Sequence, residues 1–288
     1  AAAMLFKTAG VSQKKVEAAS TGKLSVTGYQ DYNDAQKILK EVNKYRKKNG
    51  RKALKMDRGL TNSAIMRGFE TTIYIPETSP HRRPNGKLSK SINKKIIYEN
   101  CAQSAGTTPK QIVKGWINSS THRKGLLLSN AKSVGVAAVT VVSRDGYEAN
   151  TWVLDFSSSK AKKVEKSKAR KQFTKNIVTK NSYLKKSYLK LDSRYGTIWE
   201  TEKMQMKPTY QGKMMKEYGV YPTVINTSSF TSWKSSNPSV ASVDSNGRIT
   251  GNKAGTATIS AKLKTGTKIT ISKKIKVVPT NQQIDPWE

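Results

Sequence analysis

The sequence predicts two domains of different class: an α/β unit, layered as an α-β-α sandwich, over residues 31–157, and an all-β sandwich over 176–279. Three observations carry this. The chain has 288 residues, more than the roughly 100–200 usual for one domain. Its apolar residues recur at helix spacing and then fill two adjacent strands in the first half, whereas in the second half they alternate at strand spacing. Between the halves, residues 158–175 turn serine-rich and then dense in lysine, the composition of a basic linker.

Residues 1–30 read as a loose polar N-terminal arm. Its opening Ala1-Ala2-Ala3-Met4-Leu5-Phe6 is too short for a signal-peptide core and has no basic region ahead of it. It reads as the start of a mature chain with any signal peptide removed. Ile38, Leu39, Val42 and Tyr45 then recur at helix spacing among lysines, and Asn49-Gly50 closes that helix. Asp57 suits the N-cap of a second helix with Leu60, Ala64 and Gly68 on one face. Pro76 and Pro80 end it or the loop behind it, and residues 79–86 read as loop. Thr108-Pro109-Lys110-Gln111 is a compact helix start: threonine caps, proline suits the first turn and glutamine reaches back. Ile112, Val113, Trp116 and Ile117 give that helix its buried stripe.

Residues 134–142 and 147–156 read as strands joined across Arg144-Asp145-Gly146, a hairpin signal. In the second half, residues 257–263 and 269–277 alternate apolar and polar around Lys264-Thr265-Gly266-Thr267. Ser245-Asn246-Gly247-Arg248 makes a further tight turn. Short strands with turns at regular spacing point to a small sandwich. Residues 280–288 form a tail.

Charge is the extreme feature: 53 Lys and Arg against 19 acidic residues, a formal net charge of +34. Such a field favours polyanionic partners and solubility but says nothing about fold. The expected partners are a cell-wall polymer such as teichoic acid, anionic lipid or acidic glycan, with Lys160, Lys162, Lys163, Lys166, Lys168, Arg170 and Lys171 as the contact arm. Nucleic acid is disfavoured, because lysine outweighs arginine and no aromatic residues interleave the basic run. The single cysteine, Cys101, excludes an internal disulfide framework. No transmembrane segment is expected, since no stretch approaches the roughly 20 apolar residues that span a bilayer.

The first half carries landmarks in a fixed order. They are Val42-Asn43-Lys44-Tyr45-Arg46, Ser79-Pro80-His81-Arg82-Arg83-Pro84-Asn85-Gly86, Tyr98-Glu99-Asn100, Trp116-Ile117-Asn118-Ser119-Ser120-Thr121-His122-Arg123 and Val134-Gly135-Val136. This order resembles the bacterial branch of the CAP superfamily of cysteine-rich secretory, antigen-5 and pathogenesis-related proteins. In the second half, residues 233–247 and the run Lys253-Ala254-Gly255-Thr256-Ala257-Thr258-Ile259 are similar to bacterial immunoglobulin-like group 2 modules. Such modules are common on surface and secreted proteins. The resemblance therefore implies a secreted or cell-surface protein, with an immunoglobulin-like sandwich as the second domain.

The CAP resemblance also implies a cleft holding two histidines and usually two glutamates, sometimes with a divalent cation. Carried over by motif, His81 and His122 are the histidines and the metal ligands, for Zn²⁺ or another divalent cation, and Glu99 is the glutamate. Ser119 stands where a second glutamate of other members is expected, which weakens paired-carboxylate chemistry. Imidazole and carboxylate suit zinc, and a carboxylate can orient an imidazole through its second nitrogen. Glu70 is a further candidate cleft carboxylate, with a solvated helix charge as its ordinary reading. Cys101 reads as a small buried hydrophobe rather than a reactive thiol. Arg82 and Arg123 follow the two histidines, positioned to depress their protonation or to hold a carboxylate such as Glu99. Trp116 and Trp152 read as core, and Trp233 as sandwich core or edge. Function then divides into a cleft that binds a cation or a small ligand, including an apolar or sterol-like one, a metal- or Glu/His-dependent hydrolase, and a polyanion-binding surface module.

Overall fold

Two long antiparallel strands organise the first half of the molecule, and everything else in that half is layered against them. The computed structural model describes residues 21–73, 81–104, 106–192, 196–265, 267–282 and 284. They group into two units. Of the described residues, one unit comprises those within Val26–Ile177 and Gln211–Val224; the other comprises those within 21–25, Val178–Tyr210 and 225–284.

The elements of the first unit follow in chain order. They are β1 (Thr21–Asp31), α1 (Tyr32–Lys48), β2 (Lys55–Met56), α2 (Arg58–Ile73), β3 (Tyr98–Ser104), α3 (Pro109–Asn118), α4 (Ser120–Leu126), β4 (Ser133–Val142), β5 (Glu148–Ser157) and β6 (Arg170–Lys180). The sheet runs β3-β5-β4-β1-β6, with β2 beside β4. The strand alternation decides the layers. Trp152, Leu154 and Phe156 of β5 join Val134, Val136 and Ala138 of β4 in a core with Ile38 and Val42 of α1 and Ile112 and Trp116 of α3. The opposite face of β4 and β5 carries α2. Helices on both faces give the α-β-α sandwich the pattern called for.

Local chemistry sets the helix ends. Asp31 caps α1 by accepting from the Asp34 N–H at 2.9 Å, and Asp57 caps α2 through the Leu60 N–H at 2.9 Å. At α3 the capping box forms in full: Thr108 Oγ1 takes the Gln111 N–H while the Gln111 side chain takes the Thr108 N–H. Within α1, Arg46 is only 1% exposed. Its guanidinium donates to the carbonyls of Lys52, Leu126 and Leu128, tying the helix to the end of α4.

Gly135 of β4 explains itself by proximity. A Cβ there would lie 2.2 Å from the backbone carbonyl carbon and oxygen of Leu60, so only glycine lets β4 reach the first turn of α2.

Two stretches differ from expectation. The arm expected over residues 1–30 includes β1 from Thr21, with Leu24 and Val26 fully buried; residues 1–20 lie outside the described residues. The expected linker is a strap pinned on the first unit and then strand β6. The Lys162 N–H donates to Asp57 Oδ2 at 2.8 Å, the Arg58 N–H to the Lys163 carbonyl at 2.8 Å, and the Glu165 N–H to the Met56 carbonyl at 2.9 Å. Glu165 also pairs with Arg58 at 2.9 Å. Backbone groups do the anchoring, which is why a lysine-rich composition concealed it. Residues 74–80, with Pro76 and Pro80, lie outside the described residues.

The second unit is all strand at its centre. It holds β7 (Leu189–Asp192), β8 (Thr197–Trp199), β9 (Lys203–Gln205), β10 (Lys207–Tyr210), β11 (Phe230–Ser235), β12 (Ala241–Val243), β13 (Arg248–Gly251), β14 (Gly255–Leu263) and β15 (Thr270–Val278). A four-stranded sheet runs β11-β14-β15-β8 and a three-stranded one β12-β13-β9. Ile198, Ile249, Ile259, Ile271 and Ile275 are buried among these strands. Trp233 packs against the Gly247 turn, where φ is +75° and a Cβ would meet the indole at 2.7 Å.

Candidate functional site

The site is built on the edge strand of the first sheet. Glu99 and Cys101 of β3 face the α2 side, and Glu99 lies directly across from Asp155 of β5. From α2 come Arg67 and Glu70, one turn apart, both 0% exposed. The segment after α2 brings His81 and Arg83, and α4 brings His122.

Glu99 is gripped from several directions. Arg67 Nε donates to its Oε2 at 2.9 Å and Arg67 Nη2 to its Oε1 at 3.2 Å, a fork on one carboxylate. His81 Nδ1 is hydrogen-bonded to Oε1 at 2.9 Å. Arg67 also pairs with Glu70 Oε2 at 2.9 Å, and Arg83 closes over Glu70 Oε1 at 2.8 Å. Two guanidiniums thus face two carboxylates in a buried, charge-balanced cluster.

Asp155 completes it. Its carboxyl is fully buried, and among the described residues no group donates to either oxygen. Burial, and then the charge of Glu99 beside it, push its pKa well above the usual carboxylate range. That shift favours the protonated, uncharged acid at Asp155. For Glu99, burial is outweighed by the His81 hydrogen bond and by Arg67, which hold it below the usual range. Burial works against the charge of Arg67, but Glu99 and Glu70 more than reverse this, so it stays firmly protonated.

The second imidazole lies within electrostatic reach of the first. His122 Nδ1 is bonded to Ser119 Oγ at 2.9 Å, and the ring also bonds the backbone of Cys101. Burial, and then the nearby His81, lower its pKa, so it is neutral at physiological pH. Asn100 of β3 fixes α4 from below by donating to the His122 carbonyl at 2.9 Å.

A cleft of about 330 Å³ opens at His81 and Glu99, with Leu88, Ile96, Ile97 and Tyr98 as apolar walls. Ligand atoms of His81, Glu99 and Cys101 lie within 4.8 Å of one another. Imidazole, carboxylate and thiol together suit zinc by type. The oxygens of Glu99 are, however, already engaged by Arg67 and His81. Burial and then Glu99 push the Cys101 thiol up to about 12. Of the three converging residues His81 is the one best suited to a cation, with Glu99 behind it as the group that orients it; His122 is not among them.

Several expectations change here. Glu70 is not a solvated helix charge: Arg67 and Arg83 bury it by neutralising it. Arg82 donates to the Gly86 carbonyl and Arg123 to the Ile117 carbonyl, at 3.0 and 2.9 Å. The arginine on Glu99 is instead Arg67, which the sequence reading missed. Its signal was there: Arg67 lies three residues after Ala64 and three before Glu70, on the face of α2 turned to the sheet. Asp155 was missed because it alternates with Leu154 and Phe156, as an exposed residue of a one-sided sheet does.

Residues 39–156 match the cysteine-rich secretory protein (CAP) family, and residues 211–275 match the bacterial Ig-like domain, group 2. The chain carries a CAP domain followed by a group 2 bacterial Ig-like domain. An uncharacterized protein of Bacillus subtilis (strain 168), YkwD, is 30% identical over 135 residues, which is 46% of this chain. The chain spans 50% of that relative's length. An outer surface protein from Borrelia burgdorferi aligns over 45% of this chain and 98% of its own, at 18% identity and a TM-score of 0.34. An extracellular protein containing an SCP domain from Bacillus anthracis aligns over 43% of this chain and 41% of its own, at 19% identity and a TM-score of 0.33. Scores this low carry no argument of their own.

The raised pKa of Asp155 in the CAP domain makes a sharp prediction. A carboxylic acid with a raised folded pKa costs the fold stability as pH climbs above its ordinary value of 3.8, because only the unfolded chain then releases the proton. Asparagine keeps nearly the same shape and cannot ionise. The stability of Asp155→Asn relative to the parent is therefore expected to rise from about pH 4 toward neutrality. Glu99, Arg67, Glu70 and Cys101 face Asp155 and are unchanged in the comparison. Urea unfolding of both proteins across that range measures it, and parallel profiles would show Asp155 to be ionised in the fold.

Proposed function

We propose that this is a secreted or cell-surface bacterial protein whose CAP cleft binds a divalent cation or a small ligand at His81 and His122, and whose Ig-like module serves surface association. The observation that supports the cleft is the fixed pairing of His81 Nδ1 with a Glu99 carboxylate that is itself forked by Arg67. That pairing sets the ring's tautomer and direction, with the proton on Nδ1 toward the carboxylate and the lone pair on the other nitrogen. His122 lies within electrostatic reach of His81, and burial favours its neutral form, the state a cation ligand needs. A bound zinc ion would supply positive charge to polarise an oxygen or nitrogen of a ligand in the cleft.

Binding is the better reading than turnover. Glu99 is neutralised by Arg67, and Ser119 offers a hydroxyl where the family resemblance leads one to expect a second carboxylate. Secretion is supported by the pairing of the two domain types. No helix among the described residues is long and apolar enough to cross a membrane.

Isothermal titration with zinc tests the proposal. The parent should bind saturably, and a His81→Ala/His122→Ala double variant with an unchanged thermal melt should not. Equal binding by both proteins removes the site.

A further inference from the structure

At the opposite end of β3 from Tyr98, the first unit holds a second cavity, larger than the histidine cleft at about 560 Å³. That lies within the roughly 300–1,000 Å³ of small-ligand sites. Its walls are the end of β3, the hairpin end of β5 and the segment Gln211–Val224. That segment begins where the Ig-like match begins, but it groups with the first unit. It is anchored there by Thr223, which is 2% exposed, bridges Ser143 and donates through Oγ1 to the Thr72 carbonyl at 3.0 Å. The Arg144 N–H donates to the Pro222 carbonyl at 3.3 Å.

Three features of the lining specify a ligand. Tyr147 and Tyr221 stack at 4.6 Å with an interplanar angle of 17°, yet remain 57% and 51% exposed. Two tyrosines left half in water on one rim offer a flat apolar platform with polar ends. Ser104 Oγ accepts from Trp152 Nε1 at 2.8 Å, so the group it retains for a ligand is its hydroxyl proton. Asn150 Oδ1 accepts from Thr140 Oγ1 at 2.9 Å, so what it offers is its amide NH₂. The cavity thus presents an aromatic platform and two committed donors. Glu148 adds a carboxylate to the lining, paired with Arg170 at 2.8 Å.

A matching ligand has one flat C–H face and acceptor oxygens at its edge, and carries no negative charge to meet Glu148. A pyranose ring has this form, and an acetamido substituent adds a carbonyl acceptor for the two donors. We infer that this cavity is a binding subsite for a neutral N-acetylated glycan, separate from the histidine cleft and independent of its occupancy.

Titration of the full chain with tri-N-acetylchitotriose, followed by calorimetry and saturation-transfer NMR, tests this. The parent should bind saturably, with acetamido and ring protons in contact. Tyr147→Ala and Tyr221→Ala should each weaken binding about tenfold, Tyr147→Phe should retain it, and Asn150→Ala should weaken it from the other wall. His81→Ala should bind as the parent does, which keeps this result apart from the fate of the cation cleft. Absence of saturable binding, or binding untouched by all three alanine variants, overturns the proposal. So does a preference for an anionic sugar or a purely apolar probe over the acetamido sugar.

Discussion

Replacing Arg67 with methionine is expected to destabilise the CAP domain by about 3–5 kcal/mol, the range for removing one partner of a buried ion cluster. The side chain is 0% exposed and supplies both bonds of the fork on Glu99 as well as the inner bond to Glu70. Without it, Arg83 still neutralises Glu70 from outside, but Glu99 keeps only His81. A carboxylate left in that position must hold its charge undersolvated or take up a proton. Urea unfolding should therefore show a large loss at neutral pH that shrinks in acid. Adding Glu99→Gln to Arg67→Met should recover part of the loss, since it removes the stranded charge. A loss below about 1 kcal/mol, typical of exposed pairs, would mean that water reaches the cluster.

Gly135→Ala comes next in expected size, at about 3 kcal/mol, the upper end of overpacking effects. Most overpacked sites relax by turning a side chain. Here the obstructing atoms are backbone, the Leu60 carbonyl group at 2.2 Å and the Thr61 nitrogen at 2.7 Å. Relief requires α2 to move away from β4, and α2 carries Arg67 and Glu70 with it. Calorimetric melting of Gly135→Ala should show a markedly lowered midpoint, with Gly115→Ala, whose Cβ meets nothing within 4 Å and whose backbone is not in the left-handed region, as a control of glycine replacement in open space. A midpoint equal to the parent's would show that the helix and strand are not held at this spacing.

Much of this was legible in the sequence because it was encoded locally. The capping box at Thr108, the Asp57 cap and the Gly146 and Gly247 turns each depend on a few adjacent residues, and each forms as expected. The histidines were found through ordered motifs, and the structure sets His81 on Glu99 and His122 on Ser119. What escaped detection depends on long-range neighbours. Arg67 and Asp155 look like surface charges until helices cover both faces of the sheet. The strap over residues 158–169 has no apolar periodicity to read, since its attachments are main-chain hydrogen bonds to Met56, Asp57 and Arg58. Strand β1 was concealed by its short alternation, with only Leu24 and Val26 as large apolar anchors.

The way the first unit is assembled along the chain has a consequence for its synthesis. β1, at Thr21–Asp31, finds its partner only when β4 emerges more than a hundred residues later, and Tyr29 then pairs with Thr140. The strap, β6 and finally Thr223 arrive later still. A nascent chain halted after the hairpin would expose the edge of β1, and one halted after β6 would lack the wall that Tyr221 provides. The unit therefore completes itself late, dominated by distant pairings of the kind that slow folding. Under the secretion proposed above, a slow approach to the finished fold would keep the chain threadable for longer.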